Sequence, residues 1–331
     1  MELSATHKKL IRKLAGGQFF SGQQLADELG LSRTSIWNYL KVLETVGFVL
    51  HAVKGKGTRL ESPLELLDKD AIFAGLSAPC WVNPEHLDLL DICPSTNQHL
   101  SQKNVQSPLA NGAVCLAEMQ TAGRGRLGRT WVSPYGQNIY VSFLWRFKQG
   151  ITGLSGLSLA CGVSVCQALS DLGIEGHRLK WPNDILWQGK KLGGILVEIQ
   201  GESQGEYTAI IGIGINYKMN AQASANIDQP WADISHACAD RVGRNELASR
   251  LIEQVLGMLE GYEKKGLAPY VERWNDFDGY YGKNVQILSG QSVTQGVAQG
   301  ISPSGELQLL LPNGDTQGIT SGEVSLRLDV N

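Results

Sequence analysis

One stretch organises this chain, and it reads Glu118-Met-Gln-Thr-Ala-Gly-Arg-Gly-Arg-Leu-Gly-Arg-Thr-Trp131. Its three glycines leave the backbone free and open to close approach. Its arginines, Arg124, Arg126 and Arg129, add fixed positive charge and planar donor groups that suit a carboxylate or a phosphate. The pattern predicts a loop that binds an anion, and the alternative is a Gly/Arg surface loop that is merely solvated.

Two apolar segments flank this loop. Residues 113–118 before it and 139–145 after it have the apolar character of buried strands, so the loop is expected to extend from a sheet. The motif differs from a P-loop, which has Gly-x-x-x-x-Gly-Lys-Ser/Thr. It also differs from a dinucleotide fingerprint, which has no arginines between its glycines.

The composition is that of an ordinary globular protein. The chain has 331 residues, of which 42% are hydrophobic and 18% charged, and this length predicts two or three domains. No apolar run approaches the roughly 20 residues that span a bilayer, and the N-terminus does not resemble a signal peptide. We therefore expect a cytoplasmic protein without membrane contact. The six cysteines and six histidines lack the spacing of a disulfide framework or a zinc site, so neither is expected.

The first sixty residues form a basic module. They carry nine Lys/Arg against four Asp/Glu, although the whole chain has a net charge of -3. Ser21 and Ser32 are placed to cap two helices, and Gly30 ends the first of them, which predicts a helix-turn-helix. Alternating residues on both sides of Lys54–Gly57 predict a hairpin with a basic tip, the wing.

The third helix of this module has a polar outer face. Winged helices also mediate protein contacts, but helix spacing, basic excess and wing together favour DNA binding. Because a large aromatic residue is unusual on a reading face, Trp37 is expected to pack against the wing or another domain. The side chains expected to read base edges and phosphates are Arg33, Thr34, Ser35, Asn38 and Lys41.

The remainder of the chain alternates strands and helices. Residues 64–76 and 154–172 read as helices, and residues 179–187 and 190–199 read as a hairpin, with Asn183 and Asp184 on a bulge or turn after Pro182. Gly193-Gly194 and the glycines of strand 207–216 mark places where the backbone can approach a ligand. From residue 280 onward, short strands separated by turns predict a small antiparallel barrel.

Five motifs follow one another along the chain: Ser95-Thr-Asn97, Gln120 with Gly123–Gly128 and Trp131, Lys180-Trp-Pro-Asn-Asp184, Lys191–Glu198 and Gly212–Asn216. In this order they resemble the biotin protein ligases. With the winged helix and the barrel, the chain resembles the bacterial bifunctional form, which joins a biotin ligase and a biotin operon repressor. The resemblance implies an α+β multidomain fold: a winged helix-turn-helix at 1–62, a mixed-sheet α/β ligase domain at 63–273 and an SH3-like small β-barrel at 274–331.

The resemblance implies a two-step reaction. The carboxylate of biotin attacks the α-phosphate of ATP, supplied as MgATP, and a lysine of the biotin carboxyl carrier protein then displaces AMP from biotinyl-5'-AMP. Positive charge and positioning are what this chemistry needs, so no nucleophilic side chain and no tightly bound metal are expected. The implied contacts are Ser95, Thr96, Asn97 and Gln120 with the biotin rings, Arg124, Gly125 and Arg126 over the adenylate, Lys191 on the carboxylate, Trp131 near the adenine and Asn216 near ATP.

Lys191, Arg126 and Asp184 are the candidate catalytic residues. Asp184 is expected either to help deprotonate the incoming lysine or to stabilise the turn after Pro182, and the sequence favours neither. Leu127 departs from the run of arginines found in some family members. The resemblance also implies that the adenylate promotes a homodimer on operator DNA. Two alternatives are a biotin-sensing DNA-binding regulator without ligase turnover and a lipoate ligase or octanoyltransferase; the Arg-Arg and Gly-Gly-Gly stretch typical of lipoate ligases is absent.

Overall fold

The computed structural model describes residues 3–77, 83–148, 154–201, 206–238, 242–289, 292–320 and 324–328. The helices within these ranges are α1 (Ala5–Leu14), α2 (Gly22–Leu29), α3 (Arg33–Thr45), α4 (Lys69–Ala74), α5 (Thr96–Gln106), α6 (Leu157–Asp171), α7 (Ala221–Ser224), α8 (Ile234–Cys238), α9 (Arg244–Lys265) and α10 (Val271–Phe277). The strands are β1 (Leu50–Val53), β2 (Gly57–Leu60), β3 (Leu87–Cys93), β4 (Ala113–Gln120), β5 (Asn138–Phe147), β6 (His177–Lys180), β7 (Asp184–Trp187), β8 (Lys190–Gln200), β9 (Tyr207–Asn216), β10 (Asn284–Ser289), β11 (Ser292–Ile301), β12 (Leu307–Leu310), β13 (Thr316–Ile319) and β14 (Val324–Leu328).

The N-terminal elements form the predicted winged helix-turn-helix. Ser21 and Ser32 accept hydrogen bonds from the first turns of α2 and α3, and Gly30 ends α2 with a φ of 66° in the left-handed region. Buried leucines and isoleucines of the three helices pack together, and β1 pairs with β2 as an antiparallel wing. The local signals for caps and helix ends were sufficient here because each acts within one turn.

A seven-stranded sheet forms the centre of the molecule. Its strand order is β3-β4-β5-β9-β8-β7-β6, and only β3 and β4, joined by α5, run parallel. β4, β5 and β9 are almost completely buried because α6 and α9 cover the sheet. The loop that follows β4 therefore starts from a rigid, fully paired strand, which fixes where its arginines can reach.

Three of the predicted elements differ from the structure. Residues 179–187 do not form one strand, because Trp181, Pro182 and Asn183 make a turn that separates β6 from β7. The hairpin partner of β8 is therefore β7 alone, and Asp184 is its first residue. The helix predicted over 64–76 is confined to α4, because residues 64–67 run extended into contacts with the ligase domain, and α6 is shorter than the predicted 154–172.

A buried ion pair holds this extended linker. Arg244 Nη1 lies 2.8 Å from Glu118 Oε2, and the Arg244 side chain is fully buried. Glu118 also accepts a hydrogen bond from the backbone N–H of Leu67, and Arg244 donates to the backbone oxygen of Glu65. A buried pair of this kind needs partners for its other donors and acceptors. Arg244 Nη2 donates to the backbone oxygen of Asn138 at 2.9 Å, and Nε is the one buried nitrogen of Arg244 without a partner among the described residues. The linker therefore has a defined path from the winged helix to the ligase domain.

The C-terminal strands form an antiparallel sheet with the order β13-β12-β11-β10-β14. The turns at 303–305 and 313–314 fall where the sequence indicated them. The pairings among the described residues leave β13 and β14 at opposite edges, so closure into an SH3-like barrel stays a prediction. No described helix has the length and apolar character of a membrane span.

Candidate functional site

A cavity of about 1170 Å³ opens at the ends of β4, β7, β8 and β9. It is lined by the 123–131 loop, by the start of α5 and by the two glycine-containing strands. Nearly all the predicted ligand residues share it, although they lie far apart in sequence. They are Ser95, Thr96, Asn97, Gln120, Arg124, Gly125, Arg126, Trp131, Asp184 and Lys191.

The start of α5 forms one wall of the cavity. Ser95 holds the N-cap position but makes no side-chain capping bond, so its hydroxyl lines the cavity instead. The backbone N–H of Thr96 donates to Gln120 Oε1 at 2.9 Å, and Gln120 Nε2 donates to Ser133 Oγ at 3.1 Å. Gln120 is thus held in one orientation by groups on both sides. Polar groups fixed in this way suit recognition of a small polar ring.

Two glycines of β9 make room for two side chains of the cavity. A Cβ at Gly212 would lie 2.4 Å from Asn97 Oδ1, and a Cβ at Gly214 would lie 2.6 Å from the Trp131 ring. Both glycines face the same side of the sheet because they are two residues apart in one strand. The close approach predicted for these glycines is therefore with protein side chains.

The arginines of the loop reach polar groups on neighbouring elements. Arg124 Nη2 lies 3.0 Å from Glu198 Oε1, and Arg126 Nη1 donates to Asn183 Oδ1 at 3.3 Å. Burial lowers the pKa of Arg126, and the charge of Asp184 acts in the opposite direction. Leu127 is exposed and adopts a φ of 56°, in the left-handed region that costs a leucine about 1 kcal/mol or more.

Lys191 and Asp184 form an ion pair within the cavity. Lys191 Nζ lies 2.8 Å from Asp184 Oδ1, and both side chains are four-fifths buried, so solvent screens the pair only weakly. The same Nζ lies 5.5 Å from the centre of the Trp131 ring. The indole Nε1–H of Trp131 is buried and has no acceptor within the part of the chain that the structure describes. Lys191 thus brings a cation to the cavity wall, and an anionic ligand would compete with Asp184 for it.

Asn216 lies beside this cavity, and its side chain serves a structural contact. Its Nδ2 donates to the backbone oxygens of Ala232 at 3.0 Å and of Lys191 at 3.3 Å. It lines a smaller neighbouring cavity of about 60 Å³ together with Trp131, Asn226 and Trp231. The segment 226–231 carried no recognisable signal in the sequence and joins the site only through the fold.

Two polar residues of the site had no role assigned from the sequence. Ser142 is fully buried and contacts both Thr96 and Asn97, and Glu198 contacts both Asn97 and Arg124. Ser142 had a detectable signal, because it is the one small polar residue within the apolar segment 139–145. Glu198 belongs to a quoted motif, but its partners depend on the register of β8 and β9.

The exposed face of α3 carries the predicted DNA-reading residues. Arg33, Thr34, Asn38 and Lys41 are exposed, whereas Ser35 is half-buried and its hydroxyl lies 2.9 Å from the capping Ser32. The expected packing of Trp37 is wrong, because its side chain is 59% exposed on the same face. Lys41 Nζ lies 5.8 Å from the centre of the Trp37 ring.

His, Cys, Asp and Glu are the side chains that most often bind metal ions, and the described residues include all four types. Those residues contain no group of three or more His, Cys, Asp or Glu side chains that could hold a metal ion. Cys93, Cys115, Cys161, Cys166 and Cys238 are free thiols, and Cys80 lies outside the described residues.

Three family models match successive parts of the chain. Residues 6–59 match an HTH domain, residues 89–216 match the biotin/lipoate A/B protein ligase family, and residues 280–327 match the biotin protein ligase C terminal domain. The second match contains every residue predicted to contact biotin or the adenylate.

The chain is similar to curated and solved proteins over most of its length. It is 38% identical over 319 residues to the bifunctional ligase/repressor BirA of Escherichia coli, covering 96% of each chain, and 32% identical to BirA of Bacillus subtilis over 94% and 95%. The biotin protein ligase from Aquifex aeolicus in complex with biotin and ATP superposes with a TM-score of 0.62 at 29% identity, covering 73% of this chain and 99% of that one. Identity at this level along both chains, with the HTH domain included, means that the chain belongs to the biotin protein ligase family and to its bifunctional ligase/repressor group.

Proposed function

We propose that the chain activates biotin with ATP and transfers it to a lysine of the biotin carboxyl carrier protein. The biotin carboxylate attacks the α-phosphate, pyrophosphate leaves, and the carrier's amine then attacks the acyl carbon of biotinyl-5'-AMP and releases AMP. The observation that carries this proposal is the convergence on one cavity of Lys191, two loop arginines and the polar wall at the start of α5.

The positive groups of the cavity suit the charges of this reaction. Lys191 would hold the carboxylate, and Arg124 and Arg126 would close over the adenylate, so that the anions are drawn together in a partly desolvated site. Trp131 lies beside Lys191 and would stack near the adenine. Asn216 would act from behind, by fixing the backbone of Lys191 next to the ATP site. Mg²⁺ would enter as part of the MgATP substrate.

Asp184 is proposed as the base for the second step. It lies next to Lys191, so it is positioned where the acyl phosphate carbon would be attacked. Before the carrier arrives, the same carboxylate orients Lys191. These two roles of Asp184 explain why a carboxylate is present in a cavity whose other charged groups would bind anions.

We further propose that the winged helix binds operator DNA as part of a homodimer whose formation the adenylate promotes. The exposed donors of α3 and the basic wing support DNA contact, and a single module of this size offers few base contacts. The composition and the family support a cytoplasmic protein that regulates biotin biosynthesis genes.

A ligation assay tests the proposal. The purified chain is incubated with biotin, MgATP and a carrier domain, and pyrophosphate release and the mass of the carrier are followed. Both should rise, and Lys191→Ala should slow adenylation about 100-fold or more, because the carboxylate loses its counter-charge in a partly buried site. Arms with lipoate and with octanoate in place of biotin should give no product.

The same assay separates the second candidate function. A biotin-sensing regulator without turnover would bind biotin in calorimetry yet release no pyrophosphate and leave the carrier unmodified. Unchanged single-turnover adenylation by a folded Lys191→Ala variant would remove Lys191 from the proposed role.

A further inference from the structure

A chain of hydrogen bonds runs behind the wall of the cavity and ends on a carboxylate with no assigned role. Glu198 Oε2 accepts from Asn97 Nδ2 at 2.8 Å, and Glu198 Oε1 pairs with Arg124 at 3.0 Å. Asn97 Oδ1 and Thr96 Oγ1 each lie 2.6 Å from Ser142 Oγ. Ser142 is fully buried and Thr96 and Asn97 are each 3% exposed, so solvent cannot replace these partners.

The carboxylate decides which way the amide of Asn97 points. An ionised carboxylate can only accept hydrogen bonds, so the amide nitrogen must face Glu198 and the amide oxygen must face Ser142. The reversed amide would bring two acceptor oxygens to 2.8 Å without a hydrogen between them. In a buried network that arrangement is strongly unfavourable.

The orientation of Asn97 then passes to Ser142 and Thr96. Asn97 Oδ1 can only accept, so the single hydroxyl hydrogen of Ser142 points to it. The 2.6 Å contact between Ser142 Oγ and Thr96 Oγ1 would by its angles alone suit Ser142 as the donor. Ser142 has a single hydrogen, however, and Asn97 Oδ1 has none, so the hydrogen between the two hydroxyls must come from Thr96. The Thr96 hydroxyl lies farther, 3.2 Å, from Gln120 Oε1, which already receives the backbone N–H of Thr96. Thr96 Oγ1 is thus left with lone pairs and no hydrogen for the cavity.

We propose that Glu198 is a positioning residue that sets the direction of this chain, so that Thr96 accepts a hydrogen bond from an N–H group of the ligand ring. The inference rests on the proposed function, since the ureido ring of biotin carries two N–H donors. Glu198 contacts no ligand in this scheme, and Arg124 compensates its charge. Without the carboxylate Asn97 Nδ2 keeps only the long 3.5 Å contact with the backbone oxygen of Leu196. That contact is too weak to hold the amide, so the amide and the two hydroxyls can reverse, and Thr96 then competes with the ligand as a second donor.

Calorimetric titration of the full chain with biotin tests the direction of the chain. Glu198→Leu removes the acceptor at similar volume and should weaken biotin binding about tenfold, the value of one hydrogen bond in a binding site. Glu198→Gln keeps an oxygen for Asn97 and should retain the wild-type affinity within about twofold, although it loses the charge opposite Arg124. Thr96→Val removes the acceptor, so Glu198→Leu should add almost no further loss in that background.

Control variants separate this role from a general loss of stability. Asp88→Leu removes a comparably buried carboxylate that pairs with Lys103 and His99 outside the cavity, and it should leave biotin affinity unchanged. Thermal unfolding of each variant reports its folding. If Glu198→Leu does not fold, Ser142→Ala interrupts the same chain at its midpoint and should show the same tenfold loss and the same lack of additivity with Thr96→Val.

Three results would overturn the inference: unchanged affinity in Glu198→Leu, equal losses in the Gln and Leu variants, or losses that add fully to that of Thr96→Val. Equal losses would mean that the charge toward Arg124 matters and the hydrogen-bond direction does not. A wild-type chain that fails to bind biotin would instead overturn the proposed function, so the two failures are distinguishable.

Discussion

Asp278 buries a carboxylate directly after α10, next to β6. Its Oδ1 accepts from the backbone N–H of Tyr280 at 2.8 Å, while Oδ2 is buried with no partner among the described residues. Burial raises the pKa of Asp278 to about 6, and the Tyr280 N–H and the charge of Lys283 only partly oppose this. The folded state therefore binds the proton more tightly than the unfolded chain does.

This pKa predicts a pH-dependent effect of Asp278→Asn. Because folding raises the pKa, ionising this buried carboxyl destabilises the folded state. The loss of stability is absent below about pH 4, where the carboxyl is protonated in both states, and it develops as the pH rises through about 6. The free energy of unfolding of the variant should exceed that of wild type by about 1–3 kcal/mol at pH 7.5, and the two should be nearly equal at pH 4. Urea unfolding at both pH values measures this difference.

Asp88→Asn is the matched control for that prediction. Burial alone would raise the pKa of Asp88, but hydrogen bonds and charges from Lys103 and His99 outweigh it and lower the pKa. The control should therefore lose stability at neutral pH, where Asp278→Asn gains it. A gain in both variants, or a gain by Asp278→Asn that does not change with pH, contradicts the assignment.

The 123–131 loop is the element on which ligand binding should act most strongly. Its own backbone bonds are few: Gly125 N donates to Arg129 O at 2.7 Å and Trp131 N donates to Gly123 O at 2.9 Å. The glycines carry a large entropy of ordering, and the ion pair of Arg124 with Glu198 is half-exposed, so it adds little to the rigidity of the loop. We therefore predict that this loop is mobile without ligand and ordered by biotinyl-5'-AMP.

Hydrogen exchange and limited proteolysis measure this ordering. With biotin and MgATP present, exchange across the loop should slow about tenfold or more, whereas the buried amides of β5 should show no change. Equal exchange of the loop with and without ligand would exclude the coupling of loop order to the adenylate.

The winged helix and the ligase domain contact each other directly. Tyr135, four residues after Trp131, packs on Phe48 with ring centres 4.9 Å apart and donates to Asp91 Oδ1 at 3.0 Å. Asp91 also pairs with Lys8 of α1 at 2.6 Å. The segment that follows the ligand loop is thus attached to the DNA-binding domain, which gives a physical route between the two activities.

We predict that biotin with ATP strengthens DNA binding by promoting a dimer. Two modules on one palindromic site share the cost of association, and linkage requires that whatever favours the ordered loop favours the dimer. Sedimentation and selection from a randomised duplex pool, each with and without biotin plus ATP, test this. Replacing Arg33, Asn38 and Lys41 together by alanine should abolish duplex selection and leave carrier biotinylation unchanged. A ligand-independent monomer that selects no duplex would leave only the ligase activity.

The sequence by itself determined the features that act over short distances. Ser32 and Gly30 marked helix ends, the apolar strands on both sides of the loop predicted its place on a sheet, and the order of five motifs identified the family. Each of these signals depends on neighbouring residues or on motif order. For that reason the elements predicted from them agree with the structure, except for the split between β6 and β7 and the two helices that are shorter than predicted.

Only the tertiary structure decided which distant side chains meet. Asn97 of α5 reaches Glu198 and Gly212 across about a hundred residues because β8 and β9 pair in one register. A slip of one residue between these strands would turn Glu198 to the face opposite Gly212. The ion pair of Lys191 with Asp184 likewise needs the bulge between β7 and β8. The exposure of Trp37 likewise depends on which elements pack against α3 in the folded chain. Register and packing are properties of the folded sheet as a whole, so no local pattern in the chain contains them.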